Sequence, residues 1–388
     1  MSQPRVSNAI KLGFYLSAYF LLLGLFVPYF PVWMKGRGLR EQDIGWILAA
    51  STIARVPSSP WFSQWADRLG RRVGLLRWLS LGSCVTFALL YLGHGFWTIF
   101  GISVLFAALS APLLPLSENL ILVHSWKHRV DYGRVRVFGS IAFMGSTLLA
   151  GWVLDLFDPE WVWFLGMAWW ILICGASVGL PEAKMSRSSS NESKIRLLLH
   201  RRDFLLALLI VGLVTGSHAV YYGHSANLWR DLGIESDVVG MLWATGVFAE
   251  IILFRFQRRW TGRLLPSQLM ILGAAGGALR WFVLSQTTDL WLLFPAQCLH
   301  ASSFAATHLG MLRYLQRYLP KDQFATGQGL YSAIATGLFL GSAFLFTGPM
   351  VDAWQLGAYH MATVYCLSAL ALGIWLRSRK KRKGIQAT

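Results

Sequence analysis

Charged residues are scarce in this chain of 388 residues, where they make up 14% of the sequence. An average soluble domain carries about 25% charged residues. Hydrophobic residues account for 55%, and the chain contains 19 Trp and 24 Phe. This balance indicates that lipid surrounds much of the surface, and the length allows about twelve membrane spans of roughly 20 residues each.

Several chemical signatures are missing. Cysteine is rare, and Cys84, Cys174, Cys298 and Cys366 lie in apolar runs without a C-x-x-C pair, which argues against a disulfide framework and a metal site. No G-x-x-x-x-G-K-[S/T] sequence is present, so we do not expect ATP hydrolysis by this chain. We find no nucleophile–base cluster and no cofactor motif, and we therefore expect neither an enzyme nor a bound cofactor.

Acidic residues number 18 against 35 basic ones, which gives a net charge of +17. The basic residues stand in short clusters between apolar runs and not on one continuous face, so nucleic-acid binding is not expected. These clusters follow every second apolar run, at 68–72, 127–134, 184–202, 258–263, 313–321 and 377–383. The loop at 35–43 is the exception, with Lys35, Arg37 and Arg40 partly offset by Glu41 and Asp43. The positive-inside rule predicts that both termini lie in the cytoplasm, which requires an even number of spans.

Twelve apolar runs are long enough to cross a hydrocarbon core of about 30 Å. They cover about 10–33, 43–64, 73–92, 97–122, 136–155, 161–180, 203–224, 237–256, 264–285, 290–311, 325–347 and 355–376. Prolines interrupt several runs, which is tolerated where neighbours satisfy the freed carbonyls. We predict an all-α membrane protein with an N-terminal six-helix bundle (1–181), a cytoplasmic linker (182–202) and a C-terminal six-helix bundle with a basic tail (203–388).

A charged motif connects the second and third predicted spans. Gly70 permits a tight turn there, and Asp67 at a helix end can pair with cations and latch one conformation. The alternative is a basic turn that only sets topology. The motif resembles the G-x-x-x-D-R-x-G-R-R signature of the major facilitator superfamily, although the leading Gly is absent. The matching residues are Asp67, Arg68, Gly70, Arg71 and Arg72.

Three further segments narrow this resemblance. Tyr132-Gly133-Arg134-x-Arg136-x-x-Gly139-Ser140 opens the fifth span, Leu242 to Glu250 lies in the eighth, and Gln297 to Ala301 with His308 lies in the tenth. These segments resemble the phenylpropionate permease family, whose relatives include nucleoside and oligosaccharide proton symporters. The resemblance implies the major facilitator fold and proton symport by alternating access, with 3-phenylpropionate or a related aromatic acid as substrate.

Three of the charged residues inside predicted spans are functional candidates, because a charge at the bilayer centre costs at least about 2.5–3.5 kcal/mol on insertion scales. Arg55 lies near the middle of the second span and is either half of a structural ion pair or the counter-ion of a substrate carboxylate. Glu118 and Glu250 are candidates for proton coupling, because a desolvated carboxyl can exchange a proton near neutral pH. Alternatively, each acid is a packing residue or a partner for Arg55 or Arg255.

Three of the histidines inside spans are further candidates. His218 is in the seventh, and His300 and His308 share roughly one face of the tenth because they are eight residues apart. Histidine titrates near physiological pH, which suits a proton relay or a polar ligand contact, although a buried histidine can also be a hydrogen-bonded packing residue. We expect Arg280, near an outer end of the ninth span, to extend toward the interface.

The hypothesis with most support is a monomeric secondary transporter of a small organic solute with protons. The aromatic residues inside spans either pack or stack on the substrate. The candidate substrate contacts are Arg55, Tyr19, His218, Tyr222, Trp243, His300 and Phe304, and the candidate proton-coupling residues are Glu118, Glu250, His300 and His308. A nucleoside or sugar symporter and a drug/proton antiporter remain alternatives on the same fold. A non-transporting membrane receptor is the alternative from another class.

Overall fold

The computed structural model describes residues 3–69, 72–128, 132–182 and 192–382. These residues contain no β-strand, which confirms the all-α prediction. Two π-helical segments, Ala301–Ala306 and Ser332–Phe339, interrupt the α-helices. The α-helices are α1 (Gln3–Gly36), α2 (Glu41–Leu69), α3 (Arg72–Leu90), α4 (Gly95–Ser110), α5 (Leu113–His128), α6 (Tyr132–Leu156), α7 (Trp161–Val178), α8 (Glu192–Leu199), α9 (Arg202–Gly216), α10 (Ala219–Asp231), α11 (Ser236–Thr261), α12 (Pro266–Leu284), α13 (Leu290–Cys298), α14 (Thr307–Tyr318), α15 (Phe324–Tyr331), α16 (Leu340–Trp354) and α17 (Tyr359–Arg382).

Nine helical stretches among the described residues are long and apolar enough to cross a membrane. The last of them, Phe324–Ser378, is 55 residues long and contains two of the predicted spans. A 3-10 turn at Gln355–Ala358 separates those two, and Gln355 has a φ of 49° there. The count of twelve spans therefore stays a prediction.

The helices form two compact units. The first comprises Met1–Ser189 together with Ser225–Ala244, and the second comprises Ser190–His224 together with Thr245–Thr388. In the first unit α1 packs closely on α6, because a Cβ at Gly24 would overlap the backbone oxygen of Phe143. In the second unit α12 packs closely on α17, because a Cβ at Gly277 would lie 2.7 Å from the Cys366 sulfur.

Side chains from neighbouring helices satisfy two carbonyls that prolines leave free. Proline has no N–H to bond the carbonyl four residues before it. Pro28 frees the carbonyl of Gly24, and the Thr147 hydroxyl donates to that oxygen at 2.7 Å. Pro112 in the same way frees the carbonyl of Ala108, to which Ser58 donates. Both freed carbonyls thus accept a hydrogen bond from a neighbouring helix.

The basic residues of the 35–43 loop are matched by acids within the first unit. Lys35 contacts Glu41 at 3.1 Å and also pairs with Asp231. Arg37 contacts Glu160 at 2.7 Å, and Arg40 contacts Asp43 at 3.1 Å. Most of the excess positive charge that made this loop an exception is therefore neutralised locally.

Candidate functional site

A pocket inside the first unit surrounds Arg55. Its cavity has a volume of about 40 Å³ and lies between α1, α2 and α4. The lining residues are Phe26, Phe30, Leu48, Ser51, Thr52, Arg55, Ser103, Phe106 and Ala107. Phe26 stacks on Phe30 with ring centroids 4.3 Å apart and contacts Phe106 at 5.5 Å, so the three rings form a continuous aromatic wall.

The Arg55 guanidinium makes no salt bridge with any residue that the structure describes. Tyr19 lies within electrostatic range of both Arg55 and Glu118, and its hydroxyl donates to the Ser110 carbonyl at 3.5 Å. A half-buried arginine beside an aromatic wall and without an acidic partner has the charge and shape to accept a carboxylate. Of the two interpretations of Arg55, this arrangement favours the ligand counter-ion.

Glu118 pairs with Arg136 and not with Arg55. Arg136 Nη1 lies 2.8 Å from Glu118 Oε1, and the guanidinium of Arg136 stacks over Phe20 at 4.6 Å. α5 carries the acid and α6 carries the base. Arg136 belongs to the motif that opens the fifth predicted span, but its charge was not predicted to matter.

A second cluster of polar residues lies in the other unit and is centred on Arg280. The prediction that Arg280 extends toward the membrane interface is wrong. Arg280 does not extend toward an interface, because its side chain is completely buried on α12. Its Nη1 lies 2.7 Å from His300 Nδ1, and its Nη2 donates to Gln297 Oε1 at 2.6 Å. Tyr221 and Trp281 stack on the guanidinium at 4.4 and 4.3 Å. These contacts replace the water that an arginine at the interface would find.

The same geometry assigns the protons on His300. Arginine remains protonated in proteins and can only donate, so His300 Nδ1 must accept. The ring proton then sits on Nε2, which lies 2.8 Å from Glu250 Oε1 and donates to it. The network is therefore a permanent cation, a neutral imidazole and a carboxylate in series. Within this network, Glu250 is therefore the group that can accept a proton.

His218 lies next to this network. Its Nδ1 donates to the Val214 carbonyl at 2.9 Å, and its Nε2 lies 3.3 Å from the Ser303 hydroxyl. The centroid of the His218 ring lies 5.3 Å from the centroid of the His300 ring and 5.4 Å from that of the Tyr222 ring. The structure thus brings His218, Tyr222 and His300 together.

A row of rings follows the helix beyond His300. Phe304 stacks on His300 at 5.5 Å and on His308 at 6.2 Å. His308 Nδ1 lies 2.9 Å from the Tyr331 hydroxyl. The π-helical turn at Ala301–Ala306 carries Phe304, whose side chain is 40% exposed. π-turns of this kind occur often at functional sites.

The remaining predicted residues fall elsewhere or outside the described part of the chain. Trp243 is buried in the first unit. In the charged motif, Gly70, Arg71 and the side chain of Asp67 lie outside the described residues. Arg68 is exposed at the end of α2, and Arg72 is buried at the start of α3. The structure therefore adds no contact for Asp67.

Several site residues were missed from the sequence. Phe26, Phe30 and Phe106 look like other apolar span residues, and only their shared pocket distinguishes them. Gln297 begins the 297–301 segment that resembles the family, so the sequence carried a signal that this polar residue has a role. Arg280 was recognised as a charge inside a predicted span, but its depth was misjudged.

Comparisons with known sequences and structures match this chain to one family model and to several transporters. A sequence model of the MFS_1 like family matches residues 9–358. The chain is 29% identical over 369 residues to the Escherichia coli (strain K12) protein named "Probable 3-phenylpropionic acid transporter", covering 94% of this chain and 96% of that protein. It is 25% identical over 370 residues to the maltose permease of Geobacillus stearothermophilus, covering 94% of each. The crystal structure of the nucleoside transporter NupG matches with a TM-score of 0.83 at 11% identity, covering 96% of this chain and 98% of that one.

Proposed function

Because this chain belongs to the MFS_1 like family, we propose that it carries small aromatic carboxylic acids together with protons. The family and its relatives make the protein a multi-pass membrane transporter of the major facilitator type, with a small-molecule substrate, and not an enzyme. The substrate class and the coupling to protons are the proposal.

The observation that carries the proposal is the Arg55 pocket. A guanidinium can bind a carboxylate through two parallel hydrogen bonds. The wall of Phe26, Phe30 and Phe106 offers an aromatic ring offset-stacked or edge-on contacts. The pocket therefore combines the two groups that an aryl acid requires. The resemblance to the 3-phenylpropionic acid transporter supports the same substrate class.

The proton path of the proposal runs through Glu250. His300 cannot take a second proton while Arg280 donates to its Nδ1, so the carboxylate of Glu250 is the group that loads and unloads. Protonation of Glu250 removes the negative charge that faces Arg280 through His300, which changes the electrostatic balance of the second unit. Glu118, paired with Arg136, and His308, paired with Tyr331, are secondary candidates for proton coupling.

We further propose that the halves 1–181 and 203–388 alternate access to the substrate around the linker 182–202. In this scheme the protein is a monomer in a bacterial inner membrane with cytoplasmic termini. The motif of Asp67, Arg68, Gly70, Arg71 and Arg72 acts as the conformational latch, as its resemblance to the superfamily signature implies.

The driving force distinguishes an acid from a neutral solute. One carboxylate and one proton carry no net charge together, so their symport responds to a pH difference and not to membrane potential. A neutral sugar moving with one proton carries a positive charge, for which 100 mV supplies about 2.3 kcal/mol. This contrast is useful because a maltose permease is also a relative over 94% of the chain.

Uptake into proteoliposomes tests the proposal. We expect an imposed pH gradient to drive accumulation of 3-phenylpropionate, and a potassium diffusion potential alone to drive none. Arg55→Gln should abolish uptake, and Glu250→Gln should abolish gradient-driven accumulation while sparing exchange. Arg255→Gln, at an exposed arginine, is the matched control. Potential-driven uptake of maltose or uridine without uptake of the acid would refute the assignment.

A further inference from the structure

Two buried hydroxyl groups line the Arg55 pocket without a hydrogen-bond partner. Ser103 on α4 is 2% exposed, and Ser51 lies on α2. The Oγ atoms of both are buried and have no hydrogen-bond partner among the described residues. Both side chains line the pocket that also contains Arg55. Neither serine has a role in the function proposed above.

Buried serines in helices usually bond a carbonyl of the preceding turn. Ser110, Ser117 and Ser177 of the same unit do so, with their hydroxyls 3.4, 2.8 and 2.7 Å from the carbonyls three residues earlier. An unpaired hydroxyl in a protein interior is costly. Because these two hydroxyls also line a pocket, they are available to pair with a molecule that enters it.

The position of Ser103 indicates which part of the ligand it meets. Ser103 and Phe106 are three residues apart on α4, which places them on neighbouring positions of one helix face. Both line the pocket, so a ring that contacts Phe106 presents its edge to Ser103. A serine hydroxyl can donate and accept, whereas a carboxylate can only accept. A hydroxyl on the ring satisfies the serine in both directions.

We propose that Ser103, assisted by Ser51, recognises a hydroxyl group on the aromatic ring of the substrate. The preferred substrates are then ring-hydroxylated aryl carboxylic acids, with the carboxylate bound by Arg55 and the ring hydroxyl bound by Ser103. This inference rests on the proposed function, because it assumes that an aryl acid occupies the Arg55 pocket.

Calorimetric titration of the purified full-length protein tests it with three acids. The probes are 3-phenylpropionate, 3-(3-hydroxyphenyl)propionate and 3-(4-hydroxyphenyl)propionate. We expect at least one hydroxylated acid to bind about fivefold more tightly than 3-phenylpropionate, the effect of one net hydrogen bond. Ser103→Ala should remove this preference and leave the affinity for 3-phenylpropionate unchanged.

Ser83→Ala is the matched control. Ser83 is also fully buried in the first unit with an unpaired hydroxyl among the described residues, but it does not line the pocket. We expect this variant to keep the preference of the unmodified protein. Ser51→Ala, which should reduce the preference, provides a second reading if the Ser103 variant does not fold.

The outcomes separate the two proposals. Equal affinity of the unmodified protein for all three acids overturns the role of the serines and leaves the aryl-acid assignment standing. An equal loss of affinity for every acid in Ser103→Ala also overturns it, because the serine then contacts the carboxylate. Absence of binding by all three acids refutes the proposed function itself.

Discussion

Replacing Arg280 with methionine removes the permanent cation from a network that the fold seals from solvent. The arginine is completely buried, and its terminal nitrogens contact His300 and Gln297 at 2.7 and 2.6 Å. Methionine is flexible and fills irregular space, so the variant loses the charge without a large cavity. Glu250, whose side chain is 15% exposed, keeps its carboxylate in this variant.

The structure allows an estimate of the cost. Removing one partner of a direct buried ion pair costs about 3–5 kcal/mol, because the other charge stays buried. Arg280 and Glu250 are bridged by His300 and not in direct contact, so we take the lower end, about 3 kcal/mol. We expect Arg280→Met to lower the free energy of unfolding by this amount. Adding Glu250→Gln removes the remaining charge, so the double variant should be more stable than the sum of the two single effects by about 2 kcal/mol.

A double-mutant cycle measured by denaturant unfolding in mixed micelles gives this coupling energy. Arg255→Met is the control, since Arg255 is exposed on α11 and contacts Phe256 at 5.6 Å. A surface substitution of this kind should change stability by less than about 0.5 kcal/mol. Proton-driven uptake should be lost in Arg280→Met and in Glu250→Gln.

Strict additivity of the two substitutions would contradict the reasoning. It would mean that Arg280 and Glu250 do not interact through His300, and that the carboxylate is stabilised by other groups. A stability loss in Arg280→Met no larger than in the Arg255 control would show that the charge is not buried in the protein as it exists in the membrane.

Three further predictions follow from single contacts. Arg55→Lys should reduce 3-phenylpropionate uptake at least about tenfold, because an ammonium lacks the planar fork of donors. Uptake by this variant at half the rate of the unmodified protein or faster would contradict the prediction. Thr147→Val should cost about 1–3 kcal/mol of unfolding free energy by leaving a carbonyl unpaired, and Pro28→Ala in the same chain should recover part of it. The Lys194 hydrogen bond lowers the pKa of Asp322 below its usual range, so the contact stabilises the protein at neutral pH and is lost as pH falls through that lowered pKa. Thermal unfolding between pH 2 and 5 should therefore show an acid-induced loss in the unmodified protein that Asp322→Asn reduces.

The general class of the protein could be predicted from local sequence. A membrane helix needs a continuous apolar run, because every backbone group must be paired within the lipid. That requirement is visible in any window of about 20 residues. The family could be recognised for a similar reason, since the charged motif at 67–72 and the motifs around Arg136 and His300 are contiguous segments.

The prolines show where this reasoning stops. The sequence shows that Pro28 and Pro112 each free a carbonyl, but not which residue donates a hydrogen bond to that carbonyl. Thr147 lies 123 residues from Gly24 along the chain, and Ser58 lies 50 residues from Ala108. Such pairings depend on which helices are neighbours.

The amino-acid sequence alone determined that the chain is a polytopic transporter and that a few charges and histidines lie inside its spans. Only the tertiary structure decided the partners of those groups: Glu118 with Arg136, Glu250 with His300, and Arg280 buried instead of exposed. The physical reason is that insertion into a bilayer depends on the hydropathy of one segment at a time. The pairing of buried charges depends on distances of a few ångströms between helices that are remote in sequence.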